Sequence, residues 1–418
     1  MTSLRPLLVR NLTIQTISEA VGLACGLATS MLLARYLDFA GFGAFNYAFA
    51  FMYFFLALND LGINSIAIRE VAQQPSRAGA ILGAALSLRL AIAAVVLVAA
   101  WITIAWWPME PSLRTPLMLF ALILPLNALN VPGVIFQTAM RFEFGAAVNI
   151  TVRLLGLVLL VPVILSGYGV TAVLATLLLA DAAGAAVLWI LSRRLVRIEW
   201  SADPLLWRPL LSSALPLGAS MLLVAVVNRV DFIMLERLAS LEDVGLYGAA
   251  YRVTNMLEKF PLFVMGTLYP VMARLAIDDV PRLRHTYLRA LGFFAVIALP
   301  LGFAAGAAGP WFMATVFSEP YRAAGPALQY LVWATACLYL ALTGGNLLMA
   351  VRRERWSVVA LTVGAVVNIA LNFLWIPTRG IEGAAMATAA SFAVVLVLTL
   401  LFVELHFARS AAGSAQHA

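Results

Sequence analysis

The sequence predicts an all-α polytopic membrane protein, with about twelve transmembrane helices in two six-helix lobes related as parallel pseudo-two-fold repeats. Three observations predict it. Hydrophobic residues make up 63% of the chain against 11% charged, and mean hydropathy is +0.96; a soluble core of this length could not hide so much apolar surface. The apolar runs recur at about 20 residues, the length that crosses a bilayer core of about 30 Å. They are also continuous rather than alternating, as in ALSLRLAIAAVVLVAAWITIAWW (85–107), which selects helices over a membrane barrel.

The runs place spans at 12–34, 44–65, 79–107, 116–139, 145–166, 169–191, 210–233, 245–270, 288–309, 324–350, 356–376 and 381–404. The first carries Gln15 and Glu19 and continues too far for a removable signal peptide. The longest connections, 192–209 and 271–287, are too short for a folded domain. The expected organisation is therefore a lobe over 1–191, a linker over 192–209, a lobe over 210–405 and a tail over 406–418.

Arginine bias orients the bundle. With the N-terminus in the cytoplasm, the inside segments carry Arg5, Arg10, Arg69, Arg77, Arg141, Arg193, Arg194, Arg197 and Arg208. They also carry Arg274, Arg282, Arg284, Arg289, Arg352, Arg353, Arg355 and Arg409. The outside loops carry only Arg35, Arg114, Arg237, Arg322 and Arg379. Both termini are thus expected in the cytoplasm, and most of the formal charge of +7 is topology rather than a footprint for nucleic acid. Five cations remain inside spans: Arg89, Arg153, Arg229, Arg252 and Lys259.

The halves repeat. Segment 34–50 aligns with 236–252 at an offset of 202, matching Arg35 with Arg237, Gly43 with Gly245 and Ala48 with Ala250. Segment 141–169 aligns with 352–380 at an offset of 211, matching Arg141, Glu143, Thr151 and Gly169 with Arg352, Glu354, Thr362 and Gly380. Parallel repeats are a known transporter plan, with the substrate between them. The linker SRRLVRIEWSADPLLWRP reads equally as an interfacial segment near anionic lipid or as a plain connector.

Charge at bilayer depth is expensive, about 3 kcal/mol per residue on insertion scales, so such residues face protein or a watery cavity. Gln15, Glu19, Gly22, Gly26 and Ser30 share one face of helix 1, and Asn46, Ala50, Tyr53, Ala57 and Asp60 share one face of helix 2. In helix 8, Arg252, Asn255 and Lys259 stand at i, i+3 and i+7, with Glu258 nearby. The small residues Gly22, Gly26, Ala50 and Ala57 read as helix packing. Glu19 and Arg252 read as cavity residues. Asp60 and Lys259 are as compatible with snorkelling to an interface. Arg153 and Asp181 would pair or share a cavity, and Arg89 has no evident local partner.

Chemistry of other kinds lacks its residues. His285, His406 and His417 lie near or beyond helix ends, so a His-based metal site or triad is not expected. Cys25 and Cys337 fall inside apolar helices and read as inert thiols. No phosphate-binding Gly-rich loop with Lys is present, so nucleotide hydrolysis is not expected. No cofactor is implied.

The stretch NRVDFIMLERLASLEDVGLYGAAYRVTNMLEKFPLFVMGTLYPVMARL resembles the polysaccharide-transporter (O-antigen and exopolysaccharide flippase) family. The resemblance rests on Asp231, Met234-Leu235, Glu242-Asp243, Gly245-Leu246-Tyr247, Pro270 and Ala273-Arg274-Leu275. LLARYLDFAGFGAFNYAFAF, NDLGINSIAIREVA and GIEGAAMATAAS are similar to other parts of the same family. The resemblance implies the multidrug/oligosaccharidyl-lipid/polysaccharide exporter superfamily. Its members move a polyprenyl-diphosphate-linked oligosaccharide from the cytoplasmic to the outer leaflet by alternating access through a cationic cavity. It implies substrate contacts from Arg252, Arg153, Arg229, Lys259 and Asn255, with Glu19, Asp60 and Asp181 as ion-coupling or cavity groups. The implied partners are a lipid-linked oligosaccharide, membrane lipid and a polysaccharide polymerase or assembly proteins, at the cell membrane.

Two relatives in that superfamily offer alternatives, a small-molecule or drug exporter and a lipid II-type flippase. The first needs an acidic cavity, whereas five cations lie in the spans here. The second keeps an Arg directly before the Phe-Pro of helix 8, whereas Arg252 precedes Pro261 by nine positions. A membrane polymerase or ligase would need a long external catalytic loop, and a non-transporting scaffold would need no cavity at all.

The arginine bias generates one prediction. Alkaline phosphatase fused after Arg114 or Arg322 is expected to be active, and after Arg77 or Arg282 inactive, in a bacterial host. The opposite activity pattern would invert the topology.

Overall fold

The computed structural model describes the backbone of residues 4–415 and the side chains of 10, 11, 13–215, 217–219 and 221–409. The side chain of Arg5, and His417, lie outside the described residues. The described residues contain helices and turns and no strand. The helices are α1 (Leu4–Tyr36), α2 (Phe39–Asp60), α3 (Ile63–Gln73), α4 (Ala78–Trp106), α5 (Pro111–Phe120), α6 (Ile123–Ala128), α7 (Val134–Thr138) and α8 (Phe142–Leu165). They continue with α9 (Val170–Ser192), α10 (Pro204–Leu238), α11 (Leu241–Leu257), α12 (Lys259–Asp278), α13 (Val280–Val316), α14 (Gly325–Ala350) and α15 (Glu354–Ala415).

Eleven stretches of the described residues are long and apolar enough to cross a membrane. The last, Glu354–Arg409, is 56 residues long, far more than one crossing needs. Its helix breaks at Gly380, where φ is 53° and ψ is −128°, a conformation that glycine adopts without the clash a Cβ would bring. Two crossings therefore share one run, and the architecture is that of an all-α polytopic membrane protein of about twelve helices.

Helices extend beyond the expected spans, so the 271–287 connection is helical but for one residue, and the 192–209 connection is helical from Pro204 onward. Pro204 opens α10 inside the 192–209 connection, where the amide of Leu205 donates to the Asp203 carboxylate at 2.8 Å. Within 271–287 the only interruption is Asp279, whose carboxylate accepts from the Arg282 amide at 2.9 Å and caps α13. Hydropathy marks the membrane core; capping residues mark where the helix ends, and these lie further out.

The chain separates into two compact units, Met1–Ala225 and Val226–Ala418, with the division inside α10. Local structure repeats between them. At the offset of 202, Asp38 caps α2 by accepting from Gly41, and Ser240 caps α11 by accepting from Asp243. The second alignment is displaced by one residue, to 212. Met140 and Arg352 both have left-handed backbone, φ 55° and 57°. The amides that follow them close the same wide turn, Arg141 to the Phe136 carbonyl at 2.8 Å and Arg353 to that of Leu348 at 2.7 Å. Each guanidinium then lies over the ring three residues on, Arg141 over Phe144 at 4.4 Å and Arg353 over Trp356 at 5.6 Å. Identity of letters had matched Arg141 with Arg352; turn geometry matches it with Arg353.

The linker is more than a connector. Gly79, Gly83 and Ser87 form one face of α4, and the chain at 196–201 runs along it. The Glu199 amide donates to the Gly79 carbonyl at 3.1 Å. The Ser87 hydroxyl accepts from the Trp207 indole at 3.0 Å and donates to the Ser201 carbonyl. Val196, Ile198, Leu206 and Trp207 pack against the buried core beside α4. A Cβ at Gly83 would fall on the Glu199 carbonyl, whereas one at Gly266 in α12 would meet nothing within 4 Å.

These two glycines should respond to alanine with opposite signs. Gly83→Ala is expected to destabilise by about 1–3 kcal/mol through overpacking and to speed tryptic cleavage at 193–197. Gly266→Ala is expected to be neutral or to stabilise by up to about 1 kcal/mol. Thermal melting in detergent, read by size-exclusion profile, checks both.

Candidate functional site

The first unit contains two cavities that meet at Asn64. A turn between two helices creates the first. Helix α2 ends at Asp60, and Leu61 (φ 46°) and Gly62 (φ 82°) are both left-handed, which redirects the chain into α3. Leu61 in this conformation is a strained choice for a branched side chain, and it is held by close packing: α10 approaches so tightly at Gly218 that a Cβ there would strike Leu61. The elbow sets Asp60 and Asn64 side by side. With Tyr53, Ser65, Asn127 and the apolar wall of Leu217, Met221 and Val224, they enclose about 560 Å³.

Asp60 is held from behind. Arg89, on α4, is fully buried (0% exposed), and its Nη2 lies 3.4 Å from Asp60 Oδ1, whose side chain is 23% exposed to the cavity. The same nitrogen donates to Asn127 Oδ1 at 2.6 Å. Asp60 thus lines the cavity with a cationic partner behind it in the same unit. Arg89 is its partner, 29 positions away in sequence and on the next span, a distance no local pattern reveals.

Asn127 reaches this position because its span is broken. Pro116, Pro125 and Pro132 interrupt the stretch from Pro111 to Thr138, each removing a backbone donor. Side chains from neighbouring helices bond carbonyls of this stretch: Asn59 donates to Leu124 at 3.0 Å and Trp189 to Leu129 at 3.0 Å.

The second cavity, about 410 Å³, is lined by Gln15, Ser18 and Glu19 of α1, Asn64 and Ile68 of α3, Asn130, Phe136 and Gln137 around α7, and Phe142, Gly145 and Asn149 of α8. Asn149 donates to the Ser18 hydroxyl at 3.2 Å. Of the polar stripe on helix 1, Gln15 and Glu19 line this cavity together with Ser18, and the cavity lies within the first unit. The small residues of that stripe do not pack closely: a Cβ at Gly26 would meet nothing within 4 Å, and one at Gly22 only the Asn149 amide at 3.7 Å. On helix 2, Ala50 is buried as expected for packing, while Ala57 lines the first cavity.

In the second unit a buried polar network joins α10, α11 and α15. Asp231, 1% exposed, accepts from the Tyr247 hydroxyl, which lies 3.5 Å from the Thr388 hydroxyl. Asn368 donates to Thr388 and Ser391 at 3.4 Å each, and Asn372 donates to Asn368 at 2.9 Å. Arg229 lies over the rings of Tyr251 (5.0 Å) and Phe232 (5.6 Å) and feels the charges of Asp231 and Glu258.

The other expected site residues are distributed as follows. Arg252 and Asn255 are half-buried on α11, and Lys259 is exposed at the start of α12. The i, i+3, i+7 face is thereby interrupted at Glu258. Pro261 cannot donate to Leu257, and the freed Leu257 carbonyl instead accepts from the Tyr339 hydroxyl at 2.6 Å. Asp181 is half-buried on α9 and feels the charge of Arg153, which is exposed on α8. Glu19 and Arg252 belong to different units. Sequence reasoning singled out the amides Gln15, Asn46 and Asn255 beside charges but missed Asn64, Asn127, Asn130, Gln137, Asn149, Asn368 and Asn372. The signal was present as polar letters inside apolar runs, as in VVNIALNFLW.

A family model described as "Polysaccharide biosynthesis protein" matches residues 8–276. The chain belongs to that family. A second model, MatE, matches residues 216–374. The chain is similar to the succinoglycan biosynthesis transport protein ExoT of Rhizobium meliloti, 24% identical over 333 residues that cover 77% of this chain and 65% of that protein. It is similar to the probable low-salt glycan biosynthesis flippase Agl15 of Haloferax volcanii, 27% identical over 156 residues, 37% of this chain and 33% of that one. The chain thus spans less than two thirds of the length of these relatives. Its fold is that of the lipid II flippase MurJ in an inward closed conformation (TM-score 0.77, 13% identity, 93% of this chain and 87% of that one). A multidrug resistance MATE family transporter in an inward-facing conformation shares it too (TM-score 0.71, 16% identity, 94% and 95%).

The buried Asp60–Arg89 pair generates a prediction about stability. Asp60→Asn leaves the buried Arg89 with only neutral acceptors and is expected to cost about 3–5 kcal/mol, whereas Arg89→Met leaves Asp60 partly open to the cavity and is expected to cost less. The double variant is expected to recover most of that loss. A double-mutant cycle on thermal melting in detergent checks the coupling.

Proposed function

We propose that this protein is a flippase that carries a polyprenyl-diphosphate-linked oligosaccharide from the cytoplasmic to the outer leaflet, by alternating access, for polysaccharide biosynthesis. The observation that carries this reading is the polysaccharide biosynthesis match across residues 8–276. Relatives named as a glycan transport protein and a glycan flippase support it. On this reading the protein is a transporter rather than an enzyme. It sits in the cell membrane with both termini in the cytoplasm, and it hands its cargo to a polymerase or other assembly proteins.

The cargo has three chemically distinct parts, and the chain offers something to each. A sugar chain needs hydrated, hydrogen-bonding walls, which the two cavities meeting at Asn64 can supply. The lipid tail can remain in the bilayer. The diphosphate needs cations, and Arg is suited to it because its planar fork can donate two charge-assisted hydrogen bonds to one phosphate. We assign that role first to Arg252, with Asn255 beside it on α11, and secondarily to Arg229, Arg153 and Lys259. Glu19, Asp60 and Asp181 serve as cavity or ion-coupling carboxylates. Rings and carboxylates already surround Arg229.

Substitution at Arg252 tests this. Lysine keeps the charge but loses the fork, alanine loses both, and glutamate repels the ligand. In a deletion strain, surface polysaccharide is expected to fall in the order Arg252→Lys, Arg252→Ala, Arg252→Glu at constant membrane protein level. Full complementation by Arg252→Ala would overturn the assignment. Protein loss in step with polysaccharide would make Arg252 a structural ion-pair residue instead.

A further inference from the structure

The cavity around Asn149 differs in kind from a phosphate site. Among the described residues that line it there is no Arg, Lys or His, and the only charge is Glu19. Five carboxamides converge there, Gln15, Asn64, Asn130, Gln137 and Asn149, with the Ser18 hydroxyl. Asn64 Oδ1 is buried and has no hydrogen-bond partner within the protein. The ring of Phe142 and the side chain of Ile68 supply apolar surface, with the buried Phe136 behind them. The volume of about 410 Å³ falls within the range of small-molecule sites.

This combination selects its ligand by elimination. A diphosphate would meet a carboxylate and no cation, so electrostatics exclude it. A purely apolar ligand would strip water from five amides and return nothing, a cost for each group. An organic cation would satisfy Glu19 but leave the amides unmatched. A ligand dense in hydroxyl groups matches the set. Each carboxamide both donates and accepts, as each hydroxyl does, while Phe142 and Ile68 can cover the C–H faces of a sugar. A site built to hydrogen-bond hydroxyls also discriminates strongly against ligands that lack them.

We infer that this first-unit cavity is a saccharide subsite, which binds sugar rings of the cargo through Gln15, Gln137 and Asn149 and is separate from the groups that hold the diphosphate. The inference rests on the flippase reading for its biological cargo but not for its chemistry. Gly145 at the cavity wall bears on ligand size, because a Cβ there would meet nothing within 4 Å; a larger residue would extend into the space a sugar needs.

Free disaccharides separate this inference from the flippase reading. Full-length protein in nanodiscs would be titrated with cellobiose, lactose, maltose and N,N′-diacetylchitobiose, with saturation-transfer NMR as the readout. At least one is expected to bind, and Gln137→Leu and Gln15→Leu are each expected to weaken it at least tenfold while the size-exclusion profile is retained. Gln137 is exposed to the cavity, so its replacement does not disturb a packed core. Gly145→Leu is expected to weaken binding as well. Tetraphenylphosphonium is the rival probe: saturable binding lost in Glu19→Gln, with no disaccharide bound, would overturn the subsite in favour of a cationic ligand. Absence of binding by all four disaccharides, or equal binding by wild type and variants, would overturn it too. If that happens while a deletion strain still loses surface polysaccharide, the subsite falls and the flippase reading stands. If disaccharides bind as expected but the deletion strain keeps its polysaccharide, the subsite stands and the flippase reading falls.

Discussion

Inside a bilayer, a carbonyl released from its helix has no water to turn to, and this constraint governs how the chain is put together. The spans here are rich in proline, and each one inside a helix frees an acceptor. Pro261 frees the Leu257 carbonyl, which accepts from Tyr339, and along the proline-broken stretch before Thr138 Asn59 and Trp189 donate to the carbonyls of Leu124 and Leu129. These bonds do two things at once. They make the breaks tolerable, and they tie each broken span to a specific neighbour, so the bends that shape the cavities sit at defined places.

The same economy applies to charge. Arg89 is buried completely, which is tolerable only because Asp60 and Asn127 meet it. Asp231 is buried completely and is met by Tyr247. In both cases one residue of the network, Asp60 or Asn127 in the first unit and Tyr247 or Thr388 in the second, belongs to an element distant in sequence. Buried polar groups therefore act as stitches between spans, while amides that remain open to the first-unit cavities are left for water or cargo. That division, paired charges behind and neutral amides in front, is what separates scaffold from site in this protein.

Glycine and left-handed backbone provide the remaining geometry. The linker lies against α4 only because Gly79 and Gly83 carry no Cβ, and α10 approaches the elbow after Asp60 only because Gly218 carries none. The two turns at Met140 and Arg352, alike in backbone and in the guanidinium–ring contact that follows, show a repeated local unit whose sequence has diverged more than its shape. Matching letters found that repeat one residue out of register, because Arg352 and Arg353 are the same letter and only backbone conformation tells them apart.

Length, hydropathy and charge alone determined that this is an all-α membrane protein of about twelve spans, because lipid imposes a one-dimensional rule that each span must obey by itself. The order of motifs such as GLYGAAYR and GIEGAAMATAAS determined the family, and the polar stripe through Gln15 and Glu19 marked a cavity wall. What only the tertiary structure decided was pairing. Arg89 with Asp60, Asn149 with Ser18 and Tyr247 with Asp231 join residues 29, 131 and 16 positions apart, and helical periodicity reports which face a residue occupies but not which face it meets. The amide cavity was illegible for the same reason: it gathers Gln15, Asn64, Gln137 and Asn149 from four separate elements, and no single helix holds enough of them to stand out.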